Sequence, residues 1–243
     1  MQQRLPSHLD PPVAFAHRGA RAHAPENTIE SFELALRLGA TGLESDVWLT
    51  ADGVPVLDHD GVIRRGLRRI PVADVVVADL PAHIPSLRSL YEACGADFDL
   101  SLDVKSPAAF EPVVAIVRSM GSDVASRTWL CDPDLDRLAA RRSTLLDVRL
   151  VHSTRLSKLT TGPERHAARL ADAGIDAMNM HHSDWNGGLV VLFHRFDVLA
   201  FSWDLQFEHQ LTGAVRMGVD AVYSDHTDVM VDVLTREAGR PTS

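Results

Sequence analysis

The sequence predicts an α/β fold, a closed (β/α)8 TIM barrel with a β-hairpin excursion after the second strand. Eight strand-like runs alternate with helix-length segments, which is the pattern of parallel strands joined by helical crossovers. Polar residues follow most of these runs, and a barrel presents its functional groups at that end of its strands. The alternative is an open doubly wound sheet, which would normally carry a glycine-rich phosphate loop after the first strand. The segment His17-Arg18-Gly19-Ala20-Arg21 has no such G-x-G-x-x-G pattern.

The predicted strands are short, mostly apolar runs, and the segments between them contain good helix formers. In chain order the strands are Val13–Ala16, Leu43–Trp48, Leu100–Val104, Thr128–Cys131, Val148–His152, Ala177–Met180, Val198–Trp203 and Ala221–Ser224. The predicted helices are Thr28–Leu38, Ser86–Ala93, Ala109–Met120, Pro133–Arg142, Glu164–Ala173, Gly188–Arg195 and Glu208–Met217.

The dipeptide Asp52-Gly53 predicts a two-residue hairpin turn that returns the chain along Val54–Leu57. In that register Asp46 lies directly opposite His59, and a bulge would shift the pairing by one residue. Glu44 and Asp46 are two residues apart on a strand and therefore share one face. Either register brings a histidine and two carboxylates together.

Length and composition indicate a single globular domain, residues 1–243 with a core of about residues 12–235, because no linker or charge run divides the chain. Hydrophobic residues make up 45% of the chain, and no apolar run approaches the ~20 residues of a membrane span. The start, Met1–Pro6, has no apolar signal-peptide core, and Cys94 and Cys131 are isolated, so we expect a cytoplasmic protein without stable membrane insertion.

The net charge of −9 disfavours nucleic acid or an anionic membrane as the main partner. A small anionic substrate would then need local positive charge. That charge could come from a bound metal ion, from Arg18 or from Lys105.

Three polar clusters follow consecutive strand-like runs: His17-Arg18-Gly19, Glu44-Ser45-Asp46 and Asp58-His59-Asp60. Any one of them alone would be read as a core histidine or a solvated strand face. Together they would place several ionisable groups at one end of the barrel, where an unpaired buried charge costs several kcal/mol. A metal ion shared by these groups would offset that cost. Carboxylate ligands suit Mg²⁺ or Ca²⁺, and zinc fits less well because the ligand set lacks thiols.

The third ligand we predict beside Glu44 and Asp46 is Asp103, which shares a strand face with Lys105. The alternative is a simple ion pair between Asp103 and Lys105. Because this strand is the next one in the barrel, we favour the metal ligand.

The chain resembles the glycerophosphodiester phosphodiesterase family over nearly its whole length, and most specifically in its first half. The matching motifs are His17-Arg18-Gly19, Pro25-Glu26-Asn27-Thr28, Glu44-x-Asp46, Asp52-Gly53 with Val56-Leu57-Asp58-His59-Asp60, Ile84-Pro85-Ser86-Leu87, Asp103-x-Lys105 and Gly218-Val219-Asp220-Ala221-Val222-Tyr223-Ser224-Asp225.

The resemblance implies a hydrolase of lipid and glycerol metabolism that cleaves small glycerophosphodiesters to glycerol 3-phosphate and an alcohol, with a divalent metal ion. It also implies that His17 and His59 form the acid–base pair and that Glu44 and Asp46 hold the metal. The family usually has Glu at the position of Asp103, so Asp103 would reach the metal through a water molecule or hold it differently. The segment Gly61–Ile84 is shorter than the insertion that bacterial members often carry.

Cleaving a phosphodiester requires charge neutralisation, an activated nucleophile and a proton for the leaving alkoxide. The metal, Arg18 and Lys105 can neutralise charge, and two histidines can serve as base and acid near neutral pH. The nucleophile is either water or the adjacent glycerol hydroxyl of the substrate. Trp203 is either a substrate contact or a half-buried core residue.

Three further residues, Asn179, His181 and His182, end the sixth predicted strand and are weaker candidates for contact with the leaving group. Thr28 is expected to cap the helix that follows it.

Two other functions fit the same barrel. One is a phospholipase of the sphingomyelinase D or phosphoinositide-specific type, which the lack of an apolar docking segment disfavours. The other is a non-catalytic phosphoester-binding relative, suggested by Asp103 and opposed by the intact His17 and His59.

Overall fold

Eight parallel strands close into a barrel in the computed structural model, which describes residues 4–66 and 68–239. Around the ring the order is β1, β2, β6, β7, β8, β9, β10 and β11, which pairs again with β1. The strands are β1 Val13–His17, β2 Gly42–Leu49, β3 Pro55–Leu57, β4 Val62–Arg65, β5 Arg68–Pro71, β6 Asp99–Val104, β7 Thr128–Asp132, β8 Arg149–Ser153, β9 Ala177–His181, β10 Leu199–Trp203 and β11 Ala221–Ser224. The predicted barrel is confirmed.

Helices follow the barrel strands and cover their outer face. They are α1 Ile29–Arg37, α2 Leu87–Cys94, α3 Phe110–Met120, α4 Ser122–Ser126, α5 Leu135–Arg141, α6 Pro163–Asp172, α7 Gly187–His194, α8 Glu208–Arg216 and α9 Thr227–Ala238. The seven predicted helices are present with ends shifted by one or two residues. Thr28 caps α1 as expected, since its side chain accepts a hydrogen bond from the Ser31 amide at 3.2 Å.

Sequence reasoning missed α4, α9 and the β4–β5 hairpin. Helix α9 carries the ordinary signal, because Met230, Val233 and Leu234 recur at helical spacing and are buried. The hairpin occupies part of the short Gly61–Ile84 segment. Among the described residues no helix combines the length and apolar character needed to cross a bilayer.

Apolar side chains fill the barrel interior below the carboxyl ends of the strands. Phe15 stacks on Tyr223 with ring centroids 4.8 Å apart, and Trp129 meets Phe201 edge to face at 4.9 Å. The Tyr223 hydroxyl lies 3.0 Å from Ser101 Oγ within this layer. Because the lower interior is packed, open space remains at the carboxyl ends of the strands.

The predicted register of the hairpin is wrong by one residue. Val47 pairs with Leu57 and Leu49 with Pro55, so Asp46 faces Asp58, whose amide donates to the Asp46 carbonyl at 3.1 Å. The turn has three residues instead of two, and only Gly53 adopts a positive φ, of 77°. The reason is that Asp52 accepts hydrogen bonds from Thr50 and from the Val77 amide, which stabilise the longer turn.

Candidate active site

All eight side chains predicted for the site border one cavity of about 320 Å³ at the carboxyl ends of the barrel strands. They are His17, Arg18, Glu44, Asp46, His59, Asp103, Lys105 and Trp203; Ser153, Asn179, Asp204 and Tyr223 complete the wall. A larger groove of about 1010 Å³ between Leu5, Gly187 and α8 contains none of these residues. The convergence of titratable groups identifies the smaller cavity as the candidate active site.

A tight turn after β1 brings Arg18 to the carboxylates. Arg18 and Gly19 both have positive φ, of 54° and 80°, and a Cβ at Gly19 would lie 2.5–2.9 Å from atoms of Ser31. In this turn the Arg18 amide donates to Glu44 Oε2 at 2.9 Å. The Arg18 guanidinium pairs with Glu26 at 3.1 Å and lies 3.5 Å from Asp46 Oδ2.

His17 lies between two carboxylates. Its Nδ1 is 2.6 Å from Asp225 Oδ1, and its Nε2 is 3.8 Å from Glu44 Oε2. Burial lowers the pKa of His17, but the Glu44 charge and the hydrogen bond to Asp225 outweigh it, so the pKa is raised. The contact with Asp225 leaves Nε2 as the nitrogen that can exchange a proton in the cavity.

Sequence reasoning gave Asp225 no role in the site, although it is the polar residue that follows the last barrel strand. The same rule that selected the other clusters would have selected it. Arg21 also reaches Asp225, at 3.1 Å, which fixes the carboxylate from a second side.

Glu44, Asp46 and Asp103 offer carboxylate oxygens that lie within 4.8 Å of one another. Glu44 and Asp46 are buried, with 6% and 3% of their surface exposed. Burial raises the pKa of Glu44 to about 8 and raises the pKa of Asp46 despite the neighbouring Lys105.

These carboxylates fit a divalent metal ion. Asp46 Oδ2 is buried and accepts no hydrogen bond from the described residues, since Arg18 Nε lies 3.5 Å away, so its lone pairs are available to a ligand. An all-oxygen set of three suits a hard cation, whose charge would offset the burial of Glu44 and Asp46.

Lys105 connects the two strands that carry this cluster. Its Nζ lies 2.8 Å from Asp46 Oδ1 and 3.2 Å from Asp103 Oδ2. Burial lowers the pKa of Lys105, but the two carboxylates raise it by more than burial lowers it, so the side chain stays charged. The ion pair considered as an alternative role for Asp103 is therefore present, and Asp103 also belongs to the carboxylate cluster.

His59 follows β3 and borders the cavity from the hairpin side. Its Nδ1 is 2.8 Å from Asp60 Oδ1, and its side chain is 41% exposed. Both histidines of the cavity thus place Nδ1 on a carboxylate, which leaves Nε2 for proton exchange.

The far wall of the cavity comes from β8, β9 and β10. Asn179, one of the weaker candidates from the sequence, borders the cavity. His181 does not border it; its Nε2 lies 3.0 Å from Asp204 Oδ2, and its ring meets Trp203 edge to face. His182 contacts Gln210 and does not border the cavity. Ser153 and Asp204 were missed by sequence reasoning.

Comparisons with known proteins point to one family. Residues 17–91 match the model of the glycerophosphoryl diester phosphodiesterase family. The chain is 28% identical to "Probable glycerophosphodiester phosphodiesterase 2" of Mycobacterium tuberculosis, over 91% of this chain and 90% of that protein. It is 24% identical to the glycerophosphodiester phosphodiesterase of Caldanaerobacter subterraneus subsp. tengcongensis, over 93% of this chain and 99% of that one.

Solved structures share the fold. A glycerophosphodiester phosphodiesterase from Thermotoga maritima superposes with a TM-score of 0.79 at 21% identity, covering 93% of this chain and 98% of that one. An Oleispira antarctica phosphodiesterase, solved in complex with the product sn-glycerol-3-phosphate, superposes with a TM-score of 0.79 at 20% identity, covering 92% and 96%.

Proposed function

We propose that this chain, which belongs to the glycerophosphodiester phosphodiesterase family, hydrolyses glycerophosphodiesters to glycerol 3-phosphate and an alcohol, using a divalent metal ion and two histidines. The protein is an enzyme of the phosphoric diester hydrolase class. The observation that carries the metal and histidine parts is the position of His17 and His59 in one cavity with three clustered carboxylates.

Glu44, Asp46 and Asp103 would hold the metal ion, Mg²⁺ or Ca²⁺, which when bound supplies positive charge to the phosphate oxygens. Arg18 and Lys105 border the same part of the cavity and would attract the anionic phosphodiester. Their own ion pairs with Glu26, Asp46 and Asp103 hold the two cations in place before substrate enters.

The two histidines would act as general base and general acid. In each, the carboxylate on Nδ1 orients the ring, so that Nε2 can take a proton from the nucleophile or give one to the leaving alkoxide. The nucleophile is water or the neighbouring glycerol hydroxyl, and transient cyclic glycerophosphate in the product mixture would identify the second route.

The decisive experiment measures release of glycerol 3-phosphate from a panel of glycerophosphodiesters, with EDTA and after adding back Mg²⁺ or Ca²⁺. We expect release that EDTA abolishes and one of the metals restores. Release that persists fully in EDTA would contradict the metal. Binding of glycerol 3-phosphate without any turnover would instead support a non-catalytic relative.

A further inference from the structure

The two sides of the active-site cavity differ in charge. In the ring of eight strands, β6 stands four positions from β10, so Asp103 and Lys105 lie across the barrel from Trp203 and Asp204. The side formed by β1, β2 and β6 provides Arg18, Lys105 and the carboxylate cluster, where the phosphate would bind. One substituent of the diester must therefore extend toward β8, β9 and β10.

The far side carries a carboxylate, Asp204, that no Lys or Arg of the described residues neutralises. His181 accepts a hydrogen bond from the Ser183 backbone amide at Nδ1, at 3.2 Å, so its Nε2 donates to Asp204 Oδ2 at 3.0 Å. Asp204 Oδ1 accepts from the side-chain amide of Gln206 at 3.1 Å. Within residues 4–66 and 68–239, no Lys or Arg nitrogen lies within 4 Å of this carboxylate, whose side chain is 47% exposed. Its negative charge therefore borders the cavity in which the anionic phosphodiester would bind.

Trp203 forms the adjoining aromatic surface. Its ring lies 5.8 Å from the Arg155 guanidinium, but that charge is balanced by Asp184, which holds Arg155 at 2.6 and 3.2 Å. His181 contacts the same ring edge to face at 4.7 Å, which fixes its orientation. An indole ring beside a carboxylate that no Lys or Arg neutralises is a combination that binds ammonium groups.

Asn179 provides a buried hydrogen-bond acceptor on this side of the cavity. The side chain is 5% exposed, and its Oδ1 has no hydrogen-bond partner among the described residues although the residue borders the cavity. A hydroxyl of the bound diester can donate to it.

We propose that Trp203 and Asp204 form a subsite for a positively charged alcohol, so that the preferred substrates are glycerophosphodiesters whose headgroup carries an ammonium group. This inference rests on the proposed function and names its substrate class. Phosphate would bind on the β1, β2 and β6 side and the ammonium group on the β10 side, which matches the zwitterionic charge pattern of such a diester. Anionic headgroups would be repelled by Asp204.

The test compares two diesters of the same shape on the unmodified enzyme. One is glycerophosphocholine, and the other is the glycerophosphodiester of 3,3-dimethylbutanol, in which carbon replaces the choline nitrogen. We expect kcat/KM to be about tenfold higher for glycerophosphocholine, the size of a partly desolvated cation–aromatic and ion-pair contact. Equal kcat/KM values would overturn the inference while leaving the phosphodiesterase activity established.

Variants assign the preference to the subsite. Asp204→Asn keeps the shape of the side chain and removes its charge, and we expect the tenfold ratio between the two diesters to fall to about two or less. Trp203→Leu should reduce the ratio as well, which keeps the test valid if one variant folds poorly. The matched control is Asp136→Asn on α5, which makes the same change of net charge at a 91% exposed carboxylate outside the cavity and should keep the ratio.

A ratio that survives in both subsite variants would show that another part of the cavity recognises the charge, and the inference would be wrong. Failure of the unmodified enzyme to release glycerol 3-phosphate from either diester would overturn the proposed function itself, and the subsite with it.

Discussion

At the scale of the residue, His17 of the candidate active site is oriented by a side chain 208 positions away in the chain, Asp225. The contact joins the first and last barrel strands, which pair with each other when the barrel closes. Burial raises the pKa of Asp225, but its hydrogen bond with His17 and the charges of His17, Arg21 and Arg18 together outweigh burial and lower that pKa, so it remains a carboxylate. Closure of the barrel therefore sets the tautomer that His17 needs.

Replacement of either histidine is expected to remove turnover and leave the fold intact. His17→Ala and His59→Ala should each lower kcat by about two orders of magnitude or more, the usual contribution of a positioned acid or base. KM should change much less, because Arg18 and Lys105 still attract the phosphate. Steady-state kinetics measure the effect, with thermal unfolding as the control for folding. Near wild-type kcat in either variant would show that the assigned pair is wrong.

Each carboxylate of the cluster is expected to contribute to its affinity for the metal ion. Glu44→Gln, Asp46→Asn and Asp103→Asn should each weaken Mg²⁺ or Ca²⁺ binding at least about tenfold in a calorimetric titration. Metal at about one hundred times its Kd should stabilise the native protein by about 2.7 kcal/mol, visible as a rise in Tm.

Asp103→Glu distinguishes direct from water-mediated coordination. Tighter binding than wild type would indicate a water between Asp103 and the ion, and weaker binding would indicate a direct ligand that the longer side chain overpacks. The control variant is Asp136→Asn, and absence of heat and of any Tm shift with Mg²⁺, Ca²⁺ and Mn²⁺ would contradict the metal site.

At the scale of the element, the segment before β1 is joined to the far end of the barrel through one buried carboxylate. Asp220 Oδ1 accepts hydrogen bonds from Ser7 Oγ and from the amides of His8 and Leu9, and Oδ2 meets His194 Nε2 at 2.7 Å and the Ala200 amide. Burial opposes ionisation, but the hydrogen bonds from His194 and the Ala200 amide outweigh it and lower the pKa of Asp220. A single side chain thus connects the N-terminal segment, α7 and β10.

Loss of this carboxylate should destabilise the whole fold. Asp220→Ala leaves several buried donors without an acceptor, and we expect the free energy of unfolding to fall by about 3 kcal/mol or more. Urea denaturation measures it. Asp232→Ala, on the exposed face of α9, is the matched control and should change stability by less than about 0.5 kcal/mol. A similar small change for Asp220→Ala would show that water replaces the lost acceptor.

At the scale of the whole molecule, a second pair of histidines makes stability depend on pH. His166 on α6 and His152 on β8 are both 5% exposed, with His166 Nε2 3.0 Å from His152 Nδ1 and His152 Nε2 3.1 Å from the Pro133 carbonyl. Because that carbonyl can only accept, His152 donates from Nε2 and accepts from His166 at Nδ1, so the His152 ring is neutral. Burial, the neighbouring His152 and Arg169 lower the pKa of His166 to about 4, and burial lowers the pKa of His152.

The free energy of unfolding should therefore fall as pH drops below the unfolded pKa of about 6.5, because the histidines then bind protons in the unfolded chain but not in the native protein. The loss should continue to about pH 4, where native His166 is also protonated. His166→Gln keeps an N–H donor toward His152 and does not titrate. Between pH 7 and pH 5 we expect the variant to lose about 2 kcal/mol less than the wild type in urea denaturation. The two losses would be equal if His166 were protonated in the native protein.

Sequence reasoning predicted the barrel and the eight named side chains that border its cavity. The barrel depends on local signals: apolar runs of strand length, helix formers between them, and polar residues at the strand ends. The proposed acid–base roles of His17 and His59 came from the resemblance to the family, whereas the carboxylates of Glu44 and Asp46 indicated metal ligands by their own chemistry. Asp103 and Lys105 share a strand face as residues two apart should, with Lys105 Nζ 3.2 Å from Asp103 Oδ2.

The tertiary structure decided what depends on contacts between distant segments. The hairpin register changed because the Val77 amide, outside the hairpin, helps to hold Asp52 in a three-residue turn. The Asp225 contact with His17 and the position of Asp204 across from Lys105 exist only once the ring of strands has closed. The sequence by itself determined which chemical groups this protein has and on which strands they lie. Closure of the barrel determined which of them meet, because its strand order sets every distance across the cavity.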